Sequence, residues 1–172
     1  VHGSRQREEV AGLNISPKVT VACAETLESI EYRHLMAKAK RPLGISFGSP
    51  FIFRQKDIQD FSGHLINSHG APLPEFKGGG GFSWRIMMND KRGACLMHLV
   101  TKEIDEGTIL FRHDFQFLEK HRKPIEYQEE QLRQETDVMV PWLISLIMSG
   151  SIQTKTSGNQ PGSREISSYF PR

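Results

Sequence analysis

The first half of the chain alternates short apolar runs with helical patterns, and this order restricts the fold more than any other feature. "KVTVACA", residues 18–24, is rich in β-branched side chains and reads as a strand. "TLESIEYRHLMAKAK", 26–40, reads as a helix that Thr26 caps and Pro42 stops. "LGISFG", 43–48, lies between Pro42 and the Gly-Ser-Pro at 48–50 and suits a strand buried on both faces. "RQKDIQDF", 54–61, is a short helix, and "HLIN", 64–67, another brief strand. Strand, helix, strand, helix, strand predicts an α/β protein with a mostly parallel sheet flanked by helices. Ligands of such sheets bind outside the carboxyl ends of the strands. Two strands end at chemically interesting points: 43–47 runs into "GSPF", and 64–66 runs into Asn67 and His69.

Further along, "FSWRIMMN" predicts a helix ending at the Asn89-Asp90 turn, and "ACLMHLVT", 94–101, an apolar strand. "TILFRHDFQF", 108–117, alternates, which puts Ile109, Phe111, His113, Phe115 and Phe117 on one face. Residues 126–149 are helical in character, with a kink or break expected at Pro141 because proline removes a hydrogen bond and crowds the preceding turn. The expected organisation is a polar arm over 1–17, a main domain over 18–149, and a Ser/Gly/Thr/Gln linker that opens a C-terminal extension over 150–172.

The composition excludes several classes. A length of 172 residues fits one domain. The net charge is only +2 and no dense basic stripe occurs, so there is no electrostatic footprint for nucleic acid. The longest apolar stretch, "VMVPWLISLIM" at 138–148, is shorter than the ~20 residues that span a bilayer, so no membrane association is expected. The opening "VHGSRQREEV" is polar, contains no signal-peptide core and does not begin with Met. Cys23 and Cys95 sit in apolar runs as buried free thiols, which fits a reducing, cytoplasmic setting. The histidines lack metal-ligand spacing and the cysteines are not a CxxC, so no metal site is expected. His98, in mid-strand, and His113, on an apolar face, read as buried structural residues. The glycines at 78–81 lack the Lys-Ser/Thr of a phosphate loop and read as a flexible turn.

An Asn-x-His pair is weak by itself, but here it opens an ordered set. Asn67-Ser68-His69 ends a strand, Leu73-Pro74 and Lys77-Gly78 occupy the next loop, and Asp105-Glu106-Gly107 enters a later strand. This set resembles the folate-dependent formyltransferases, whose pattern is Asn-x-His, Leu-Pro, basic-Gly and Asp-x-Gly in that order. The resemblance covers roughly residues 40–117 well, the following helix and the tail loosely, and residues 1–40 only in topology. "SSYFPR", 167–172, is similar to a motif located after the catalytic domain in some members. The family usually begins with a further strand and glycine loop, so the resemblance implies a Rossmann-like domain whose first βα unit is missing and a chain that is partial at both ends. Gly70 and Ala71 replace a Pro-Ser type pair found in many members, which implies a different loop after His69.

The resemblance also implies an activity. The donor would be 10-formyltetrahydrofolate and the acceptor the primary amine of a small molecule such as a nucleotide-linked amino sugar. A formyltetrahydrofolate hydrolase, a methionyl-tRNA formyltransferase and a non-catalytic folate-binding or assembly domain are the alternatives. Asn67, His69 and Asp105 would be catalytic. Gly48, Ser49, Pro50, Phe51, Ile52 and Phe53 would form one wall of the folate site, with Thr101, Ile104 and Gly107 in the other. These residue types suit formyl transfer. The resemblance implies that an amide N–H from Asn67 would stabilise the growing oxyanion, His69 would move a proton, and Asp105 would fix the tautomer of His69 and favour its charged form. The oligomeric state has no signature in the sequence.

Overall fold

The computed structural model describes residues 26–40, 42–49, 51–79, 81–149 and 168–170. Helix α1 (Ile30–Lys38) leads to strand β1 (Gly44–Phe47), short helix α2 (Gln55–Gln59) and strand β2 (Leu65–His69). Strand β3 (Phe76–Gly78), helix α3 (Gly81–Met87), strand β4 (Arg92–Leu99) and strand β5 (Ile109–Gln116) come after it. A long helical segment is next: α4 (Pro124–Gln134), a π-helical stretch (Glu135–Met139) and α5 (Val140–Ser149). Strand β6 (Ser168–Phe170) closes the described chain.

The main sheet has the order β1-β2-β4-β5, and β3 with β6 forms a separate ribbon. The α/β class and the helices flanking the sheet match the sequence reading. The mostly parallel character does not extend across the described strands: β1 pairs parallel with β2, while β2–β4 and β4–β5 are antiparallel. The strand predicted at 18–24 lies outside the described residues, as do the arm and Cys23.

Local chemistry explains most boundaries. Ser29, not Thr26, caps α1, its Oγ accepting from the Tyr32 N–H at 3.2 Å. Thr26 instead accepts from the Glu28 N–H, in the turn before the helix. Pro124 opens α4, where its missing N–H costs nothing, and the Glu126 carboxylate accepts from the Arg122 and Lys123 N–H groups. The disruption expected from Pro141 is a π-helical turn immediately before it, in which Val140 N–H reaches back to the Glu135 carbonyl.

Alternation along β2 sorts its side chains. Ile66 turns to one face and joins Cys95 and Met97 in a core sealed by Met139 and Leu143 of the long helical segment. Leu65, Asn67 and His69 turn to the other. There Leu65 packs with Ile58 and Phe61, while Leu73, Ala94 and Leu96 form a second cluster. The single face predicted for β5 is broken by a bulge. Met97 pairs with Phe111 but His98 pairs with Ile109, so Leu110 is the extra residue. Leu110, Phe111 and Phe115 pack on the helix-side core, whereas Ile109 joins the Leu73–Leu96 cluster. Among the described residues no helix is long and apolar enough to cross a membrane.

Candidate active site

Antiparallel pairing sets Asn67 directly across from His98. The Asn67 amide nitrogen lies 3.3 Å from His98 Nε2, and His98 Nδ1 lies 2.9 Å from the Leu99 carbonyl oxygen. The loop after β4 brings Asp105 between two imidazoles, with Oδ2 3.5 Å from His69 Nδ1 and Oδ1 3.4 Å from His98 Nε2. The rings of His69 and His98 meet edge-on, 6.3 Å between centroids. Asp105 has a positive φ of 54°, a conformation aspartate tolerates better than most residues. Gly78, itself at φ 79°, donates its N–H to Asp105 Oδ2 at 2.7 Å, and the Lys77 ammonium donates to Glu106 at 2.9 Å. Both bonds tie this loop to β3.

His69 is buried, and its Nε2 lies 2.6 Å from the Phe76 carbonyl oxygen. A carbonyl only accepts, so Nε2 carries the hydrogen and Nδ1 is the nitrogen open to a proton. Burial holds the His69 pKa below the ordinary histidine range, outweighing the pull of Asp105 and of the Phe76 carbonyl. The ring is therefore neutral near pH 7, with a carboxylate in place to stabilise the imidazolium. For Asp105, burial pushes the carboxyl up. Contact with His98, the proximity of His69 and the Gly78 N–H outweigh it, leaving the pKa below the usual carboxylate value.

These groups line a cavity of about 680 Å³. Gly48, Ser49, Phe51, Ile52 and Phe53 form part of its wall, with Thr101 and Ile104 also lining it. Ile52 is 62% exposed, leaving apolar surface for a ligand to cover. A formyl transferase family profile matches residues 51–143, more than half of the chain. The chain belongs to the formyl transferase family.

Among its relatives, the methionyl-tRNA formyltransferase of Mycoplasma genitalium is 33% identical over 91 residues, 51% of this chain and 28% of the relative. The chain spans less than a third of the length of the curated relatives it matches. The phosphoribosylglycinamide formyltransferase of Bacillus halodurans shares the fold at a TM-score of 0.65 and 17% identity, over 78% of this chain and 72% of that one. The formyltransferase PseJ of Anoxybacillus kamchatkensis, solved with UDP-4,6-dideoxy-4-formamido-L-AltNAc and tetrahydrofolate, aligns at 0.59 and 21% identity, over 73% and 62%. At these identities the two structures speak to the fold.

Of the formyl transferase residues singled out in the sequence, Asn67, His69 and Asp105 converge although Asp105 is distant in the chain. Pro50 lies outside the described residues. Gly107 does not line the cavity; it is buried behind it, against the Leu99 backbone. His98 is buried, as expected of a structural histidine, yet it touches both Asn67 and Asp105. His113 is half-buried against Gln134.

The sequence reading missed Arg85, which is fully buried. It donates to the carbonyls of Gly70, Gly81 and Arg92 and lies under the rings of Phe76, Phe82, Phe117 and Tyr127. It thereby fixes the turn after His69, and a lone cation in the apolar "FSWRIMM" was its only signal. Among the described residues no cluster of His, Cys, Asp and Glu is placed to hold a metal ion.

The pKa directions fix a sign for pH dependence. Above the ordinary histidine value of 6.5, His69 is unprotonated in both states; as the pH falls below it, the unfolded chain takes the proton first and stability is lost. Asp105 acts in the same direction at lower pH, holding its contribution above 3.8 and losing it as the pH falls through its depressed folded value. Urea unfolding should show lower stability at about pH 5.5 than at about pH 7.5, and His69→Asn should flatten that slope. A His69→Asn slope as steep as wild type would mean that His69 is not held neutral.

Proposed function

We propose that this chain carries the catalytic part of an enzyme that transfers a formyl group from 10-formyltetrahydrofolate to a primary amine. One observation carries the reading: Asn67, His69 and Asp105 converge at a cavity walled by the 48–53 loop and the segment after β4. The cavity is within the size range of small-ligand sites, and Phe51, Ile52, Phe53 and Ile104 suit a flat heteroaromatic ring. The catalytic domain is assigned to 18–149. The buried free thiol of Cys95, its pKa pushed up to about 12 by burial, accords with a cytoplasmic setting.

Each residue then has one task. Asn67, its amide oriented by His98, donates to the formyl oxygen as negative charge develops, a contribution worth about 10²–10³ in rate. His69 accepts a proton from the attacking amine at Nδ1, and Asp105 stabilises the imidazolium. As the bond from the formyl carbon to the donor nitrogen breaks, His69 returns the proton to that nitrogen. Such acid–base catalysis contributes about 10²–10⁴.

The first choice of acceptor is a nucleotide-linked amino sugar. It is supported by the motif-like tail and by the fold shared with PseJ, which was solved with such a product. A net charge of +2 with no basic tract argues against an aminoacyl-tRNA. The test supplies 10-formyltetrahydrofolate with a panel of amino-sugar nucleotides, phosphoribosylglycinamide, methionyl-tRNA and water. Formamide and tetrahydrofolate are quantified by mass spectrometry. Turnover with an amino-sugar nucleotide is expected. Formate released without an acceptor would make the chain a hydrolase, and tight folate binding without either reaction would make it a binding module.

A further inference from the structure

The tail resembling a family motif has a place in the fold. Strand β6, Ser168–Phe170, pairs parallel with β3, setting Tyr169 opposite Lys77. The other edge of β3 faces the site. The Phe76 carbonyl holds His69 Nε2, the Phe76 N–H donates to the Pro72 carbonyl at 2.9 Å, and the Gly78 N–H holds Asp105. Backbone groups alternate sides along a strand, so those of Lys77 point away from the site and towards β6. In parallel register, the Lys77 N–H then meets the Ser168 carbonyl and the Phe170 N–H meets the Lys77 carbonyl.

We propose that the C-terminal strand is a positioning element of the active site: by pairing with β3 it fixes the two backbone groups that orient His69 and Asp105. The inference rests on the reading of those two residues as catalytic. A three-residue strand without a partner is marginal in water. Here it carries both the carbonyl that sets the His69 tautomer and the amide that holds Asp105 at a positive φ. Strand addition supplies main-chain bonds independent of side-chain identity, which is how short extended segments dock on an exposed strand edge.

The experiment compares Phe170→Pro with Phe170→Ala in the full chain. Proline removes the donor to Lys77, whereas alanine keeps it. Phe170→Pro should speed amide exchange of Lys77 and Gly78 about tenfold or more and shift the His69 imidazole resonances. It should lower kcat about tenfold, with folate Kd and thermal midpoint close to wild type. Phe170→Ala, which keeps the donor, should leave the exchange of Lys77 and Gly78 and the His69 resonances much nearer to wild type than Phe170→Pro does. Unchanged exchange and His69 resonances in Phe170→Pro would overturn the proposal, as would an alanine variant as disturbed as the proline one. If wild type transfers no formyl group yet the exchange and resonances respond as expected, the catalytic reading fails and the positioning role stands.

Discussion

Replacing His69 with alanine is expected to cut formyl transfer by about 10²-fold or more while folate affinity stays nearly unchanged. The ring is buried, its Nε2 is committed to the Phe76 carbonyl, and Nδ1 faces Asp105. On the proposed mechanism, its loss removes the group that accepts and returns the proton while leaving the 48–53 wall of the cavity in place. Asn67→Ala should lose a comparable amount, chiefly in kcat, because its donor matters most once charge has developed. The two losses should not add in the double variant, since Asp105 and His98 link both residues into one unit. Asp105→Asn should fall between wild type and His69→Ala, because asparagine tolerates the positive φ but cannot stabilise the imidazolium. The measurement is kcat and KM for each variant beside folate binding by calorimetry. Full-rate transfer by His69→Ala would keep the enzyme and discard this mechanism.

Gly107→Ala is expected to destabilise the protein by roughly 3 kcal/mol or more, although the residue does not line the cavity. A methyl group there would lie 2.7 Å from the Leu99 carbonyl carbon and closer still to its oxygen. The obstacle is backbone in a strand, which cannot swing aside as a side chain does. Leu99 also donates its N–H to the Thr108 carbonyl, and its own oxygen holds His98 Nδ1. Relieving the clash therefore moves His98, and with it Asn67 and Asp105. Urea unfolding should report the stability loss, and the fraction still folded should show lower kcat. A change within about 0.5 kcal/mol would mean that the turn into β5 yields to the added methyl group.

Most elements of the fold are legible in local pattern. The apolar runs bounded by Pro42, Gly48 and the Asn89-Asp90 turn become β1 and α3 within a residue or two of their expected ends. That succeeds because strand and helix periodicity, and the backbone limits of proline, are properties of neighbouring residues. The segment between His69 and the glycines reads only as a loop because β3 is three residues long and its partner is β6, far along the chain. The bulge at Leu110 is equally invisible: alternation continues in the sequence while the register shifts in the sheet.

The same division runs through the site. The residue types and order of Asn67, His69, Leu73-Pro74, Lys77-Gly78 and Asp105 were enough to point to the formyl transferase family, since order along a chain survives without any knowledge of distance. Tertiary structure decided which atoms meet. It put His98 against Asn67 and Asp105, set the His69 tautomer through the Phe76 carbonyl, and placed the Arg85 guanidinium on carbonyls from three separate segments. It also removed Gly107 from the cavity wall and made it a point of backbone contact. The sequence determined the local elements and the chemical repertoire. Their meeting depends on strand register and on main-chain donors and acceptors, which every residue except proline carries alike and which therefore leave little mark in the sequence.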